Sequence, residues 1–167
     1  IRENQILNDI SGLGGINDLI FNLRISLNPA LSNLNGLNNI TSVGGYLLIN
    51  DNINLLNLNA LAALTQVTEY VEIDNNDELV NLQGLNSLES AGWGLYLFDN
   101  NNLANLQGLE NLNTTYLLNF QKNNKLTNLD ALADLEVIEY QISLTENNLL
   151  SDISGLENVD LSTLSDL

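Results

Sequence analysis

A repeat of 24 residues runs the length of this chain and constrains it more than any other feature. Ile1, Ile25, Ile49, Ile73, Leu97, Phe120 and Leu144 hold one position in successive copies, and only the step from Leu97 to Phe120 is a residue short. Three residues after each marker stands an asparagine: Asn4, Asn28, Asn52, Asn76, Asn100, Asn123 and Asn147. One copy cannot bury its own apolar side, so chains with this periodicity stack their copies into a solenoid. The array reads as a single body over residues 1–167, with copies beginning near the seven markers. Residue 1 is not Met and Leu167 falls one place before the next marker, so the chain is expected to be a segment of a longer solenoid.

Within one copy two spacings succeed each other. Leu47 and Ile49 alternate with outward residues, the period of a short strand, as do Leu23/Ile25, Val71/Ile73, Leu95/Leu97, Leu118/Phe120 and Ile142/Leu144. After the asparagine the aliphatics fall every third residue, at Leu55, Leu58, Leu61, Leu64 and Val67, and again at Leu31, Leu34, Leu37, Ile40 and Val43. Steps of three predict arcs, turns and a short 3₁₀ stretch that return each side chain to a shared interior. Gly12, Gly36, Ala60, Gly84, Gly108, Ala131 and Gly155 form a column of small residues, as expected where coils touch or turn tightly. Pro29 falls in the turn after a strand, where it removes no ladder hydrogen bond.

Two polar columns follow from the register. The marker asparagines form the first; Asp9, Asn33, Asn57, Asn81, Asn105, Asn128 and Asp152 form the second. At about 4.8 Å per coil, stacked side chains in both are expected to pair with one another and with turn backbone. Seven strands would span roughly 30 Å at that spacing, with apolar surface exposed at both ends.

Stretches such as LNGLNNITSVGGYLLINDN (34–52) and LQGLNSLESAGWGLYLFDNN (82–101) resemble the receptor L-domain type of leucine-rich repeat. That type carries a G-L-x-x-L-x-x-V-x-G pattern before a short L-x-I strand and an asparagine. LSDISGLENV (150–159) is similar to the corner of internalin-type bacterial repeats, with Gly155 where that family often has proline. The resemblance implies a leucine-rich-repeat solenoid: a right-handed β or α/β superhelix of about seven 24-residue coils, with one parallel sheet and irregular or 3₁₀ arcs. The unit is longer than the internalin repeat, and the cysteine-rich modules of animal receptor L domains are missing. Lack of Cys together with regular repetition looks more like a secreted or surface protein of bacteria than an animal receptor.

Composition narrows the function. The formal charge is −17, from 21 acidic residues against Arg2, Arg24, Lys122 and Lys125. Such a surface repels phosphate backbones and anionic headgroups, so nucleic-acid and membrane-surface roles are not expected, and with no apolar run of the roughly 18 residues a span needs, neither is membrane insertion. There is no Cys or His, which leaves no disulfide, thiolate or imidazole chemistry and no base for a serine-type triad. No cofactor or enzymatic activity is expected. The pair Glu72/Asp74 lies on one strand face rather than across a cleft, unlike a glycosidase pair. A column two residues past the markers, Glu3, Leu27, Asp51, Asn75, Asp99, Lys122 and Glu146, is interrupted for a calcium ladder, leaving only weak surface Ca²⁺ sites open. The threonines, Thr41, Thr68, Thr115, Thr127 and Thr145 among them, are scattered over different registers, unlike an ice-binding array. The sequons at Asn39 and Asn113 arise easily in a chain with 31 asparagines.

The outward face of the sheet is where a partner is expected. Its positions read Arg24 and Ser26, Leu48 and Asn50, Glu72 and Asp74, Tyr96 and Phe98, Asn119 and Gln121, Ser143 and Thr145. Tyr96 and Phe98 are aromatics on a face that should meet water, Leu48 shares it, and Trp93 lies just upstream. Aromatics anchor protein contacts and sugar rings, though scattered exposed apolar residues are ordinary and Trp93 could fill a coil corner. The expectation is a non-catalytic binding or adhesion module that meets protein or glycan at Tyr96, Phe98, Leu48, Glu72, Asp74 and Trp93. The alternative is a structural segment of a filament, stalk or surface layer that self-associates through its coil ends.

Overall fold

A computed structural model describes residues 1–165; Leu167 lies outside the described residues. The chain is a parallel β-solenoid. Its strands are β1 (Leu23–Ser26), β2 (Ser42–Val43), β3 (Leu47–Asn50), β4 (Gln66–Val67), β5 (Tyr70–Asp74), β6 (Ser90–Ala91), β7 (Gly94–Phe98), β8 (Thr114–Gln121) and β9 (Val137–Thr145). β1, β3, β5, β7, β8 and β9 pair in parallel one repeat apart, in the register Leu23↔Leu47↔Val71↔Leu95↔Leu118↔Ile142. The alternation sends Ile25, Ile49, Ile73, Leu97 and Phe120 fully inside.

A second column of strands, which the sequence does not announce, runs through β2, β4, β6 and the first residues of β8 and β9. It holds Val43 and Val67, which the sequence reading assigns to the last step of the arc. A corner separates the two columns at Gly44–Tyr46, Thr68–Glu69 and Gly92–Trp93. The short step of the repeat falls at that corner. Ala91 pairs with Thr115 and Leu95 with Leu118, so four steps in one coil become three in the next. The two strands merge there into the eight-residue β8 and stay merged in the nine-residue β9, where four steps return from Ile138 to Ile142 and the β8–β9 ladder shifts register between Thr115 and Leu117.

Opposite the sheet, the steps of three are successive tight turns. Leu55 N–H donates to the Asn52 carbonyl, Leu61 to Leu58 and Leu64 to Leu61, at 2.8–2.9 Å. Each i→i+3 bond brings the next aliphatic back to the interior, and all of these leucines are fully buried. Short 3₁₀ helices form at Ser11–Leu13, Asn59–Leu61, Asp130–Leu132, Ser154–Leu156 and Leu161–Thr163. One core cluster runs from Ile10 to Val159.

The two polar columns do different work. In the first, Asn28, Asn52, Asn76, Asn100 and Asn123 are fully buried. The Asn52 backbone N–H donates to Asn76 Oδ1 at 3.2 Å, while Asn76 Nδ2 donates to the Ile49 carbonyl at 2.8 Å and to the Asp74 carbonyl at 2.9 Å. One amide therefore ties its own turn to the preceding coil, and the backbone N–H to side-chain oxygen bond repeats from Asn4 to Asn147. The second column makes no such inter-coil bonds. Asn57, Asn81 and Asn105 each accept the N–H two residues ahead in their own coil, as does Asp9. The expected pairing between coils thus holds for the buried column only; the second, mostly half-buried column makes local Asx turns.

The small-residue column packs against the neighbouring coil. A Cβ on Gly84 would overlap the Leu58 carbonyl, and its φ of +111° is unsuited to other residues. Gly12, in the first coil, has nothing within 4 Å of the same atom. Gly84→Ala is therefore expected to cost at least about 2 kcal/mol of unfolding free energy, while Gly12→Ala is expected to change it by less than about 0.5 kcal/mol. Urea denaturation of the two variants checks this; equal losses would contradict contact with the preceding coil as the cause.

Candidate functional site

The candidate site grows out of the corner between β6 and β7. Trp93 sits there between Gly92 and Gly94. A Cβ on Gly92 would overlap the Thr68 carbonyl, and one on Gly94 would press on Leu117 and the Tyr96 ring. Trp93 N–H donates to the Glu69 carbonyl at 2.7 Å, which fixes the corner backbone to the preceding coil. The indole stands outward and is 58 % exposed rather than filling the corner.

Tyr46 and Tyr70 lie one repeat apart and stack, with centroids 5.0 Å apart and planes at 12°. In the next coil the same register position is Gly94. The Tyr96 ring, rooted two residues later, leans over that glycine and meets Tyr70 edge-on at 5.8 Å. Phe98 packs against Tyr96 at 5.9 Å. On the far side of the corner Tyr116 and Tyr140 stack at 5.2 Å with planes at 3°. Trp93, Tyr96, Tyr116, Leu117, Gly92 and Glu139 together line an open groove of about 550 Å³.

The expected site residues fall in two groups. Tyr96 and Trp93 share the groove, and Phe98 adjoins it through Tyr96. Glu72 pairs in register with Tyr96, and Asp74 with Phe98, so an acid flanks each ring on the neighbouring strand. Leu48 occupies the same face between Arg24 and Glu72 but is only 8 % exposed, which leaves it little surface to offer. Tyr46, Tyr70, Tyr116, Tyr140 and Glu139 are absent from the sequence reading. The signal for the tyrosines was their own 24-residue spacing, Tyr46 to Tyr70 and Tyr116 to Tyr140. Their proximity to Trp93 depends on the corner, which periodicity does not reveal.

The electrostatics of this face are one-sided. Burial raises the Glu72 carboxyl above its ordinary value, partly offset by Arg24. Asp74 is pushed up to about 6 by burial first and then by Asp51, Glu72 and Asp99. The hydroxyls of Tyr70 and Tyr96 are likewise raised, mainly by burial and then by Glu72. Arg24, the cation of this face, donates from Nε to Ser26 Oγ at 2.7 Å. Glu69, Glu72, Asp74 and Glu139 have no ion-pair partner among the described residues.

The column two residues past the markers has a backbone explanation. Glu3, Leu27, Asp51, Asn75, Asp99, Lys122 and Glu146 all take positive φ, between 50° and 62°. Each is the left-handed turn that swings the following asparagine inward, a conformation that Asp and Asn tolerate best. Asp51 accepts from Asn50 Nδ2 at 2.6 Å and from Asn75 Nδ2 at 2.7 Å, so its oxygens already serve the turns. Among the described residues no group of three or more acidic, His or Cys side chains is arranged to hold a metal ion. No helix of the described residues is long and apolar enough to cross a membrane.

Comparison with family models, curated proteins and solved structures finds no match.

Asp74 gives the site a pH signature. Its folded-state value lies above the ordinary 3.8, so between about pH 4 and 6 the folded chain binds more protons than the unfolded one. Its contribution to stability is then fullest below pH 4 and declines as pH rises to about 6. Asp74→Asn removes the ionisation, so the Tm advantage of the variant over the parent is expected to grow from pH 4 to pH 6 and level off above. A Tm difference independent of pH would contradict the burial of this carboxyl.

Proposed function

We propose that this chain is a non-catalytic recognition module, a right-handed solenoid of the leucine-rich-repeat kind, from a secreted or surface-anchored bacterial protein. It meets protein or glycan through the outward sheet face and the corner beside it. The observation that carries this reading is the group of aromatics at the corner, Trp93 and Tyr116 exposed and Tyr96 half-buried, that border one open groove. Rings held by a stiff scaffold offer large contact area at little conformational cost. Strands locked by backbone ladders and a buried core suit a platform whose shape does not change on binding.

The sole tryptophan provides a direct readout. Trp93 fluorescence, titrated with neutral oligosaccharides and with lysine- and arginine-rich peptides, is expected to respond saturably to at least one class. Tyr96→Ala with Phe98→Ala is expected to weaken that response about tenfold, on the order of 1.4 kcal/mol, without loss of the far-ultraviolet β signal. Silence with every probe, or an unchanged affinity in the double variant, would contradict the assignment.

A second reading, a structural segment that self-associates through its coil ends, is favoured by the apolar hollows at the two ends. One, of about 300 Å³, is lined by Ile1, Leu7, Ile10 and Leu13; the other, of about 310 Å³, by Ile142, Leu144, Ile153 and Leu161. Light scattering on the same samples separates the two: open-ended polymers would move the structural reading ahead.

A further inference from the structure

We infer that the groove beside Trp93 receives a cationic side chain, a lysine or arginine presented by a basic segment of a protein partner. The inference deepens the recognition reading and rests on it.

Three observations converge. The first is ring geometry: Trp93, Tyr96 and Tyr116 border one groove of about 550 Å³, with Leu117 also in its lining. Aromatic faces carry negative quadrupole density, and several around one cavity attract a cation more strongly than any one of them. The second is charge. The groove lining contains one carboxylate, Glu139, and no basic residue. Outside it the acids continue in register with the rings, Glu72 beside Tyr96 and Asp74 beside Phe98. None of these three acids has an ion-pair partner among the described residues. The third is the field of the whole chain, −17 in formal charge, which draws a basic segment toward the face and holds an acidic one off.

A neutral glycan fits these features less well. A sugar would stack on the same rings, but it needs a surround of hydrogen-bond donors and acceptors matched to its hydroxyls. The groove lining supplies the Glu139 carboxylate, the hydroxyls of Tyr96 and Tyr116 and the Trp93 indole N–H, with no amide side chain. An acidic glycan would meet carboxylates without a facing cation, since Arg24 is three strands from Tyr96 and bound to Ser26. An extended basic segment can place one cation among the rings and others beside Glu72 and Asp74.

The test uses calorimetric titration of the whole chain with a lysine- and arginine-rich decapeptide, its sequence-matched glutamine analogue, and a neutral oligosaccharide panel. The basic peptide is expected to bind and the glutamine analogue at least about tenfold more weakly. Tyr116→Ala and Glu139→Gln are each expected to weaken the basic peptide by about threefold to tenfold. Asp134→Asn, which removes one negative charge from the arc between Leu132 and Leu135, is expected to change it less than twofold. Glu139→Gln preserves side-chain shape at an exposed position, so it remains informative if Tyr116→Ala does not fold. Equal effects from Asp134→Asn and Glu139→Gln would mean diffuse charge attraction and would overturn the site. Oligosaccharide binding without peptide binding would overturn the cationic ligand and leave the recognition module standing. Binding of neither class would overturn both.

Discussion

The buried asparagine column is the interaction on which the rest of the stack depends. Each coil must turn sharply after its inward strand, and a sharp turn leaves backbone groups without ladder partners inside an apolar core. An orphaned buried amide or carbonyl costs about 1–3 kcal/mol, so a chain that turned repeatedly without compensation would not fold. One asparagine per coil answers this with both ends of its amide. Its oxygen takes the N–H of the preceding coil's asparagine, and its nitrogen gives to the carbonyl of the preceding marker and, in most coils, to a carbonyl of its own turn. Aspartate lacks the donor and leucine lacks both, so a buried column of this kind needs an amide. The left-handed residue just before it, Leu27 and Lys122 included, is the conformational cost of aiming that amide inward.

Because the turns are held from within, the outer face is free to vary. Glycines at the corner let Trp93 project outward, and Gly94 leaves the space that the Tyr96 ring occupies. The missing residue between Leu97 and Phe120 is part of the same local design. It falls where the strand first runs unbroken through the corner, as β8, in the coil that brings Tyr116 into the groove with Trp93. A defect in the repeat and the most distinctive surface of the molecule therefore lie together. The acids that flank this surface, Glu72 and Asp74, are partly withdrawn from water, which raises both carboxyls above their ordinary values. A partner that neutralised them would relieve a cost the folded chain otherwise bears.

Much of this was legible in the residues because periodic burial leaves a periodic trace. The inward strand pairs, the leucines at steps of three and the contact role of Gly84 can be read from spacing alone. Other features could not. Val43 and Val67 look like one more step of the arc, since a two-residue strand is too short to show alternation. Asn76 and Asn81 look alike in sequence, yet one amide spans coils and the other caps its own turn, a difference set by burial. Leu48 holds an outward position, but Arg24 and Glu72 flank it in register and it is nearly covered. The groove joins β7 to β8 and β9 across a corner whose shape no pairwise spacing encodes.

The comparison of Asn76→Ala with Asn81→Ala in urea denaturation tests the inter-coil role of the column most directly. Asn76→Ala would orphan the Asn52 N–H and remove the inter-coil bond to the Ile49 carbonyl, at a cost of about 2–3 kcal/mol. Asn81→Ala would lose a single local cap bond near the surface, worth about 1 kcal/mol or less. A large loss for Asn76 with a small one for Asn81 is the expected result. Equal losses at the two positions would contradict it and would mean that apolar burial alone holds the coils together.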